Sequence, residues 1–509
     1  MYAQVNSLAL YGLQGMVVQV EIDIASGLPG FEIVGLPDSS VREAKDRVRA
    51  AMRNSGLELP LRRITANLAP AHLRKEGSGF DLCLAIGVLV AEEHIPANRL
   101  AGVACVGELA LDGAVRPVRG MLSLALAAKE HGFHTLIVSA KSAQEAAFVQ
   151  GLRVLAVATL TEAVHFLTGR LELQPVAAEG AASTTTQAGG EDFAEIKGQP
   201  HVKRALEIAA AGNHNVLLIG PPGSGKTMLA KRMPSILPPL TARESLEVTQ
   251  VHSVAGILEA ESGLMQVRPF RTPHHTISNG GLIGGGTIPR PGEVSLAHGG
   301  VLFLDELPEF KKSVLEVLRQ PLEDAQVTIS RTQATYTFPS RFLLAAAMNP
   351  CPCGFYGSAY KPCTCTPPQI ARYQGKLSGP LLDRIDLHIE VPRVTYQDIV
   401  NPVREECSAD ILARVLRARQ VQAARFPERP FPCNANMTPL DTRKFCALAP
   451  GAHALLQEAF EMLGLSARAY ERILKVARTI ADLQGCEAID EAHVAEAIQY
   501  RTLDRKIDS

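Results

Sequence analysis

Asn215-Val-Leu-Leu-Ile-Gly-Pro-Pro-Gly-Ser-Gly-Lys-Thr227 runs from an apolar, strand-like segment into a glycine-rich loop. Glycines let successive backbone N–H groups curl toward one point at a helix N-terminus, where the helix dipole adds positive potential, and a phosphate chain needs both. The run Gly220, Pro221, Pro222, Gly223, Ser224, Gly225, Lys226, Thr227 therefore predicts a nucleotide triphosphate site. In that reading Lys226 reaches the β and γ phosphates and Thr227 ligates magnesium, so ATP and Mg2+ are the implied cofactors. A chance match in a glycine-rich loop is the competing reading. The apolar strand Asn215 to Ile219 before the loop, and the motif that follows, weigh against it.

That motif is Val301-Leu-Phe-Leu-Asp-Glu306, an apolar run ending in two carboxylates. Asp305 would hold magnesium through its shell, while Glu306 would polarise the attacking water. Standing alone it would read as a core strand followed by two solvated acids. A third apolar run, Phe342 to Met348, ends at Asn349, whose amide beside the γ-phosphate would orient the water. Taken singly, Asn before Pro is a turn residue.

Composition sets the outer bounds. The 509 residues, 46% hydrophobic and 20% charged, are enough for roughly three to four folding units. No basic lead precedes an apolar core at the N-terminus, and no apolar run approaches the roughly 18 residues that span a membrane. A cytoplasmic protein with no membrane partner is the expectation. Net charge is −1, so nucleic-acid binding would have to come from a local basic surface in an assembled particle. Of ten cysteines, Cys351, Cys353, Cys363 and Cys365 cluster and the rest are scattered, a pattern of reduced thiols with one candidate metal site. C-x-C, nine intervening residues and C-x-C put four soft ligands in one loop, as tetrahedral Zn2+ requires. The spacing departs from C-x-x-C knuckles, and reduced structural thiols or redox-labile pairs are the alternative.

Glu179 to Asp192 reads EGAASTTTQAGGED, a polar run with almost nothing to bury. The expected organisation is an α/β multidomain chain: a mixed N-terminal domain over 1–170, a linker over 171–191, a nucleotide-binding core over 192–395 carrying the cysteine cluster, and a helical domain over 396–509. The first part alternates strand-like runs (Val17 to Ile24, Val103 to Leu109, Thr135 to Val138) with helical stretches such as Ser40 to Ser55. In the last part Tyr470, Ile473, Leu474, Ala477, Ile480 and Ala481 form one apolar stripe at helical spacing. EDAQVTISRTQATYTFP, Glu323 to Pro339, alternates β-branched and polar residues around Ser330-Arg331-Thr332 and predicts a hairpin.

The order of these motifs resembles the ComM/YifB family of magnesium-chelatase-like AAA+ proteins. So do MYAQVNSLALYGLQG at the start, PGFEIVGLPDSSVREAKDRVRAA from Pro29, RPFRTPHHTISNGGLIGGG from Arg268 and MNPCPCG from Met348. The match covers nearly the whole chain. It implies an AAA+ P-loop core with a helix-2 insert within about residues 250 to 298, and a C-terminal helical lid. It further implies a homo-hexameric DNA motor, a helicase or branch-migration enzyme acting on single-stranded and branched DNA during natural transformation. Within that resemblance Asn349 is sensor 1, and Arg384 of Leu381-Leu-Asp-Arg-Ile-Asp386 is the finger that enters the neighbouring subunit's site. Such a finger is worth about 10³ to 10⁵ in rate. Arg468 is the lid's sensor 2 arginine, with Arg472 one turn later as the competing candidate. Arg331, at the hairpin tip, is the candidate DNA phosphate contact, an ordinary charged tip being the alternative, and Arg268, Arg271 and His274 would form a second tier.

Residues 1 to 170 resemble the proteolytic domain of Lon, through Lys75-Glu-Gly-Ser-Gly-Phe-Asp81-Leu and Gly107-Glu-Leu-Ala-Leu-Asp-Gly-Ala-Val-Arg-Pro-Val-Arg-Gly120. Gly79 falls at the serine position, with Ser78 one residue out of register. Leu122 or Leu124 falls where the activating lysine should be, so no peptidase activity is expected. The rival reading is a chelatase-like ATPase that remodels a protein partner for metal insertion. No D-x-S-x-S adhesion motif accompanies it in this chain. A nucleotide-gated scaffold would require loss of Glu306 or Arg384, and both are present.

Overall fold

The computed structural model describes residues 1–178, 191–258, 263–286, 289–331, 335–358, 360–400 and 405–501. Most of the expected linker, and Thr332 of the hairpin tip, lie outside the described residues. The chain forms two compact units. One gathers Met1–Thr184 with Ala242–Met265 and Ser330–Phe338; the other holds Thr185–Thr241, Gln266–Ile329 and Pro339–Ser509.

The first unit is built on strands β1 (Tyr2–Tyr11), β2 (Gln14–Ala25), β3 (Gly30–Val34), β4 (Arg63–Ala69), β5 (Val103–Val106), β6 (Thr135–Ser139) and β7 (Arg153–Val157). They form one seven-stranded sheet in the order β3-β4-β2-β1-β5-β6-β7. β2 is antiparallel to β1 and β4, whereas β5, β6 and β7 continue in parallel from β1. Alternation sets the face: Val18, Val20, Ile22 and Ile24 are buried while Gln19, Asp23 and Ala25 face out. After its first residue the helix Asp81–Ala91 is apolar all round, and it is buried at every residue, as a helix inside a core must be. Helix Ser39–Asn54 buries only the stripe Val41, Ala44, Val48, Ala51 and Met52, and Asp38 caps it by accepting from the Val41 N–H at 2.8 Å. The run Val103 to Leu109 is not one strand. It breaks at Gly107, where a Cβ would lie 2.7 Å from Val115 Cγ1, into β5 and the short strand Glu108–Leu109.

Two stretches from later in the chain, Ala242–Met265 and Ser330–Phe338, complete this unit. Helix Ala242–Ala255 brings Leu246 onto the cluster of Met121, Leu124 and Ala128, and Gln250 Nε2 donates to the Leu13 carbonyl at 3.0 Å. Tyr336 stacks on Tyr11 with ring centroids 4.8 Å apart.

The second unit holds a five-stranded parallel sheet of β8 (Val216–Ile219), β9 (Phe270–Arg271), β10 (Val301–Leu304), β13 (Leu343–Met348) and β14 (Leu387–Glu390). Between β10 and β13 the chain makes β11 (Gln326–Ser330) and β12 (Thr335–Pro339), the two strands of the expected hairpin, with Arg331 exposed after the first. The sheet order is β9-β10-β13-β8-β14. The three central strands β8, β10 and β13 are apolar throughout, as strands covered by helices on both faces of a parallel sheet are. Helix Ala467–Gln484 carries the predicted stripe: Ile473, Leu474, Ala477, Ile480 and Ala481 share one core cluster with Val216, Leu218 and Ala345. Among the described residues no helix is long and apolar enough to cross a membrane.

In the first unit the fully buried Asp81 carboxylate takes bonds from Arg47 Nε at 2.6 Å, Arg47 Nη2 at 2.9 Å and the Leu109 N–H at 3.2 Å. Removing one partner strands the other charge. Arg47→Ala is expected to destabilise this unit by about 3–5 kcal/mol in urea denaturation, with much of the loss recovered when Asp81→Leu is added.

Candidate active site

Parallel pairing brings the predicted site residues to one edge of the sheet. β8 pairs with β13 so that Ile219 faces Met348, and β10 pairs with β13 so that Leu304 faces Ala346. The loop after β8, the carboxylates after β10 and the amide after β13 therefore emerge together, at the carboxyl ends where open α/β sheets bind ligands. Gly223 and Gly225 sit at φ +77° and +86°, the left-handed region, and Gly225 caps helix Lys226–Arg232.

Lys226 Nζ lies 2.7 Å from the Gly220 carbonyl, 2.9 Å from the Pro221 carbonyl and 3.3 Å from Asn349 Oδ1. Burial lowers the Lys226 pKa, while Asp305 opposes that shift. The Thr227 hydroxyl donates to Asp305 Oδ2 at 2.7 Å, so the two predicted magnesium ligands are already side by side. Their donor set, a hydroxyl and a carboxylate at the mouth of a phosphate loop, fits a small hard cation. Glu306 holds a left-handed φ of 52°, unusual for a side chain with a Cβ, and its N–H donates to Asp305 Oδ1 at 2.9 Å. The carboxylate is thereby turned outward, more than half exposed, with His275 Nδ1 3.6 Å away. The sequence reading singled out His274 and passed over His275; only the strand register brings the latter to Glu306. A cavity of 1020 Å³ opens at the start of the loop, lined by Gly220, Pro221, Tyr356, Tyr360, Arg393 and Tyr396 among others.

The predicted arginines gather in a second place. Arg384, Arg468 and Arg472 line a pocket of 150 Å³ with Glu323, Asp383, Asp386 and Lys475. The Arg384 guanidinium is buried and bonds Glu323 and the Pro380 carbonyl. Arg468 is 66% exposed and 3.9 Å from Asp383, whereas Arg472 is tied to buried Asp386. Burial by itself would raise the Asp386 carboxyl, but Arg472 and His214 hold it well below the usual carboxylate range. His214 bridges Asp386 at 3.1 Å and Thr479 at 2.8 Å, and Asn215 Nδ2 donates to the Arg384 carbonyl at 2.9 Å. Arg268 donates to the carbonyls of Pro238 and Gly299, and Arg271 forms a two-point pair with Glu293 at 2.7 and 2.8 Å. Phe270–Arg271 is the edge strand of the sheet, and in this chain the two half-buried arginines of the expected second tier are engaged in these contacts.

The sulfurs of Cys351, Cys353, Cys363 and Cys365 all lie within 4.8 Å of one another. Cys351 is buried and the other three are half-buried. Four thiols converging from two C-x-C pairs fit a tetrahedral Zn2+ centre.

Comparison with known proteins agrees with this architecture. The family described as magnesium chelatase, subunit ChlI, matches residues 192–399, with further matches over 20–142 and, for its C-terminal part, 405–501. The competence protein ComM of Haemophilus influenzae is 46% identical over 99% of this chain and 98% of its own length. The chain belongs to the ComM/YifB family of magnesium-chelatase-like AAA+ proteins. YifB of Escherichia coli is 44% identical over 98% of this chain and 97% of its own length. Shorter matches reach Lon protease 2 of Bacillus subtilis, 32% identical over 27% of this chain and 26% of that protein, and the Holliday junction branch migration complex subunit RuvB of Thermosipho melanesiensis, 29% identical over 26% and 34%.

Membership in this AAA+ family implies ATP and Mg2+ as cofactors. At the Lon-like segment the Ser78 hydroxyl donates to Glu108, Lys75 Nζ donates to the Pro70 carbonyl, and Leu122 and Leu124 are buried.

For the cysteines the expected outcome is about one zinc per purified chain by mass spectrometry, lost in a Cys363→Ser, Cys365→Ser double variant. Substoichiometric metal in freshly purified protein, unchanged by the substitutions, would refute the centre.

Proposed function

We propose that this chain is an ATP-hydrolysing DNA motor, assembled as a hexamer and acting on branched or single-stranded DNA during recombination of incoming DNA in natural transformation. The convergence of Lys226, Thr227, Asp305 and Asn349 at one sheet edge carries the hydrolytic part of this reading. Loop N–H groups and Lys226 bind the phosphates, Thr227 and Asp305 hold the magnesium ion, Glu306 polarises the water and Asn349 orients it. Magnesium, when bound, neutralises the charge that develops as the terminal phosphoryl group leaves.

The DNA part rests on full-length likeness to a protein named for competence and on the partial likeness to a branch-migration subunit. Arg331, exposed beside the end of β11, is the proposed phosphate contact; phosphate contacts position a protein on DNA without reading bases. Arg384 acts as finger on the neighbouring subunit's nucleotide, and Arg468, 66% exposed in the same pocket, acts as the sensor 2 arginine. The N-terminal unit carries no peptidase function in this reading, because Ser78 faces a carboxylate instead of an amine. A second reading, remodelling of a protein partner for metal insertion, draws on the chelatase description of the matching family.

Branch migration of three-strand and four-way DNA by the purified chain with ATP separates the two, and no DNA-dependent turnover on any of these substrates would sink the motor. Glu306→Gln is expected to bind ATP while hydrolysing it at least about 10²-fold more slowly, read by nucleotide binding and phosphate release. Arg384→Ala mixed with Lys226→Ala should regain part of the turnover that each lacks, because an intact finger then meets an intact loop. Arg331→Ala should weaken DNA binding and flatten its salt dependence while basal hydrolysis stays near wild type.

A further inference from the structure

We infer that a metal ion held by Cys351, Cys353, Cys363 and Cys365 sets the shape of the phosphate loop, so that metal loading regulates nucleotide affinity. This rests on the nucleotide-binding reading of the loop and deepens it.

Three contacts carry the inference. Gly354, directly after the second cysteine, lies against the phosphate loop: a Cβ there would come 2.6 Å from Pro222 Cδ and 3.3 Å from Pro222 Cγ, and Gly354 itself holds a left-handed φ of +83°. Its N–H donates to the Cys351 carbonyl at 3.0 Å, so its position follows from that of the first cysteine pair. The loop also returns to the sensor strand. Beyond Cys363 and Cys365 the chain enters helix Pro367–Gln374, capped by Thr366, and Gln374 Nε2 donates to the Pro350 carbonyl at 3.0 Å.

The cysteine loop thus touches Pro222 at one end and, through Gln374 on the Pro350 carbonyl, holds the residue next to Asn349 at the other. Within the cluster, Cys351 Sγ is 3.3 Å from Cys353 Sγ and 3.6 Å from Cys363 Sγ, and Cys353 Sγ is 3.5 Å from Cys363 Sγ. Thiol contacts of this kind are weak, and thiolates would repel one another without a cation between them. A metal bound to all four closes the segment between the pairs and removes its freedom to open. Opening would withdraw Gly354 from Pro222 and loosen the hold on Asn349, the residue 3.3 Å from Lys226. Tyr356 and Tyr360, from the same segment, line the cavity beside Gly220 and Pro221, so that wall would move as well.

Coupling between two sites is reciprocal, which supplies a test that needs no substitution. The full chain is loaded with Zn2+ or stripped with a zinc-selective chelator, Mg2+ is kept constant, and the affinity for a fluorescent ADP analogue is measured by titration. Stripping is expected to weaken ADP binding about tenfold, and saturating ADP to tighten Zn2+ binding by the same factor. Gly354→Ala should keep its zinc and weaken ADP binding, because the added methyl displaces Pro222. Circular dichroism of each sample shows whether it is folded, and an unfolded Gly354→Ala leaves the decision to the two wild-type titrations. Equal ADP affinity in loaded and stripped protein overturns the inference, as does a folded Gly354→Ala with zinc and wild-type affinity. Failure of loaded wild-type protein to bind ADP at all would instead overturn the nucleotide-site reading.

Discussion

Everything at the nucleotide site depends on the backbone register of β13 between β8 and β10. Parallel strands hydrogen-bonded in that register must end together, and the residues that follow them, Gly220, Asp305 and Asn349, must share one edge. A slip of one residue would turn alternate side chains to the other face. Val216, Leu218, Ala345 and Ala347 would be replaced in their core cluster by buried neighbours of other sizes such as Leu217 and Leu344, so close packing holds the register that positions the site.

A buried polar network performs the same service for the arginine pocket. Asp386, just before β14, binds His214 from before β8 and Arg472 from helix Ala467–Gln484, and His214 continues to Thr479. Asn215 joins in by donating to the Arg384 carbonyl and accepting from the Leu344 N–H at 2.9 Å. Charges and amides buried at this depth are costly unless each finds its partner. The arrangement therefore tolerates few alternatives, and it ties the segment of Arg384 to both the sheet and helix Ala467–Gln484. The Glu306 backbone, held left-handed after β10, is a second local constraint that aims one carboxylate outward.

The chemistry of the loop was legible in the sequence because it is local. Gly223 and Gly225 are needed for their own φ angles, Lys226 and Thr227 follow at fixed offsets, and apolar runs of four to six residues marked β8, β10 and β13. The cysteine pairs were legible for the same reason, since both lie within fifteen residues of chain, Cys351 to Cys365. The amphipathic stripe on helix Ala467–Gln484 identified its buried face before any partner was known.

What the tertiary structure alone decided are contacts between residues far apart in the chain. His275 beside Glu306, Glu323 on Arg384 and Gly354 against Pro222 have no periodicity or spacing that announces them. Arg268 and Arg271 look like exposed cations in a glycine-rich insert, yet their half-buried guanidinium groups bond the Pro238 and Gly299 carbonyls and the Glu293 carboxylate. The placement of Ala242–Met265 and Ser330–Phe338 with the N-terminal unit is of the same kind. Leu246 and Tyr336 are ordinary apolar and aromatic residues whose surface is buried by whichever core closes over it, and hydrophobic burial, being non-directional, leaves no mark in the local sequence.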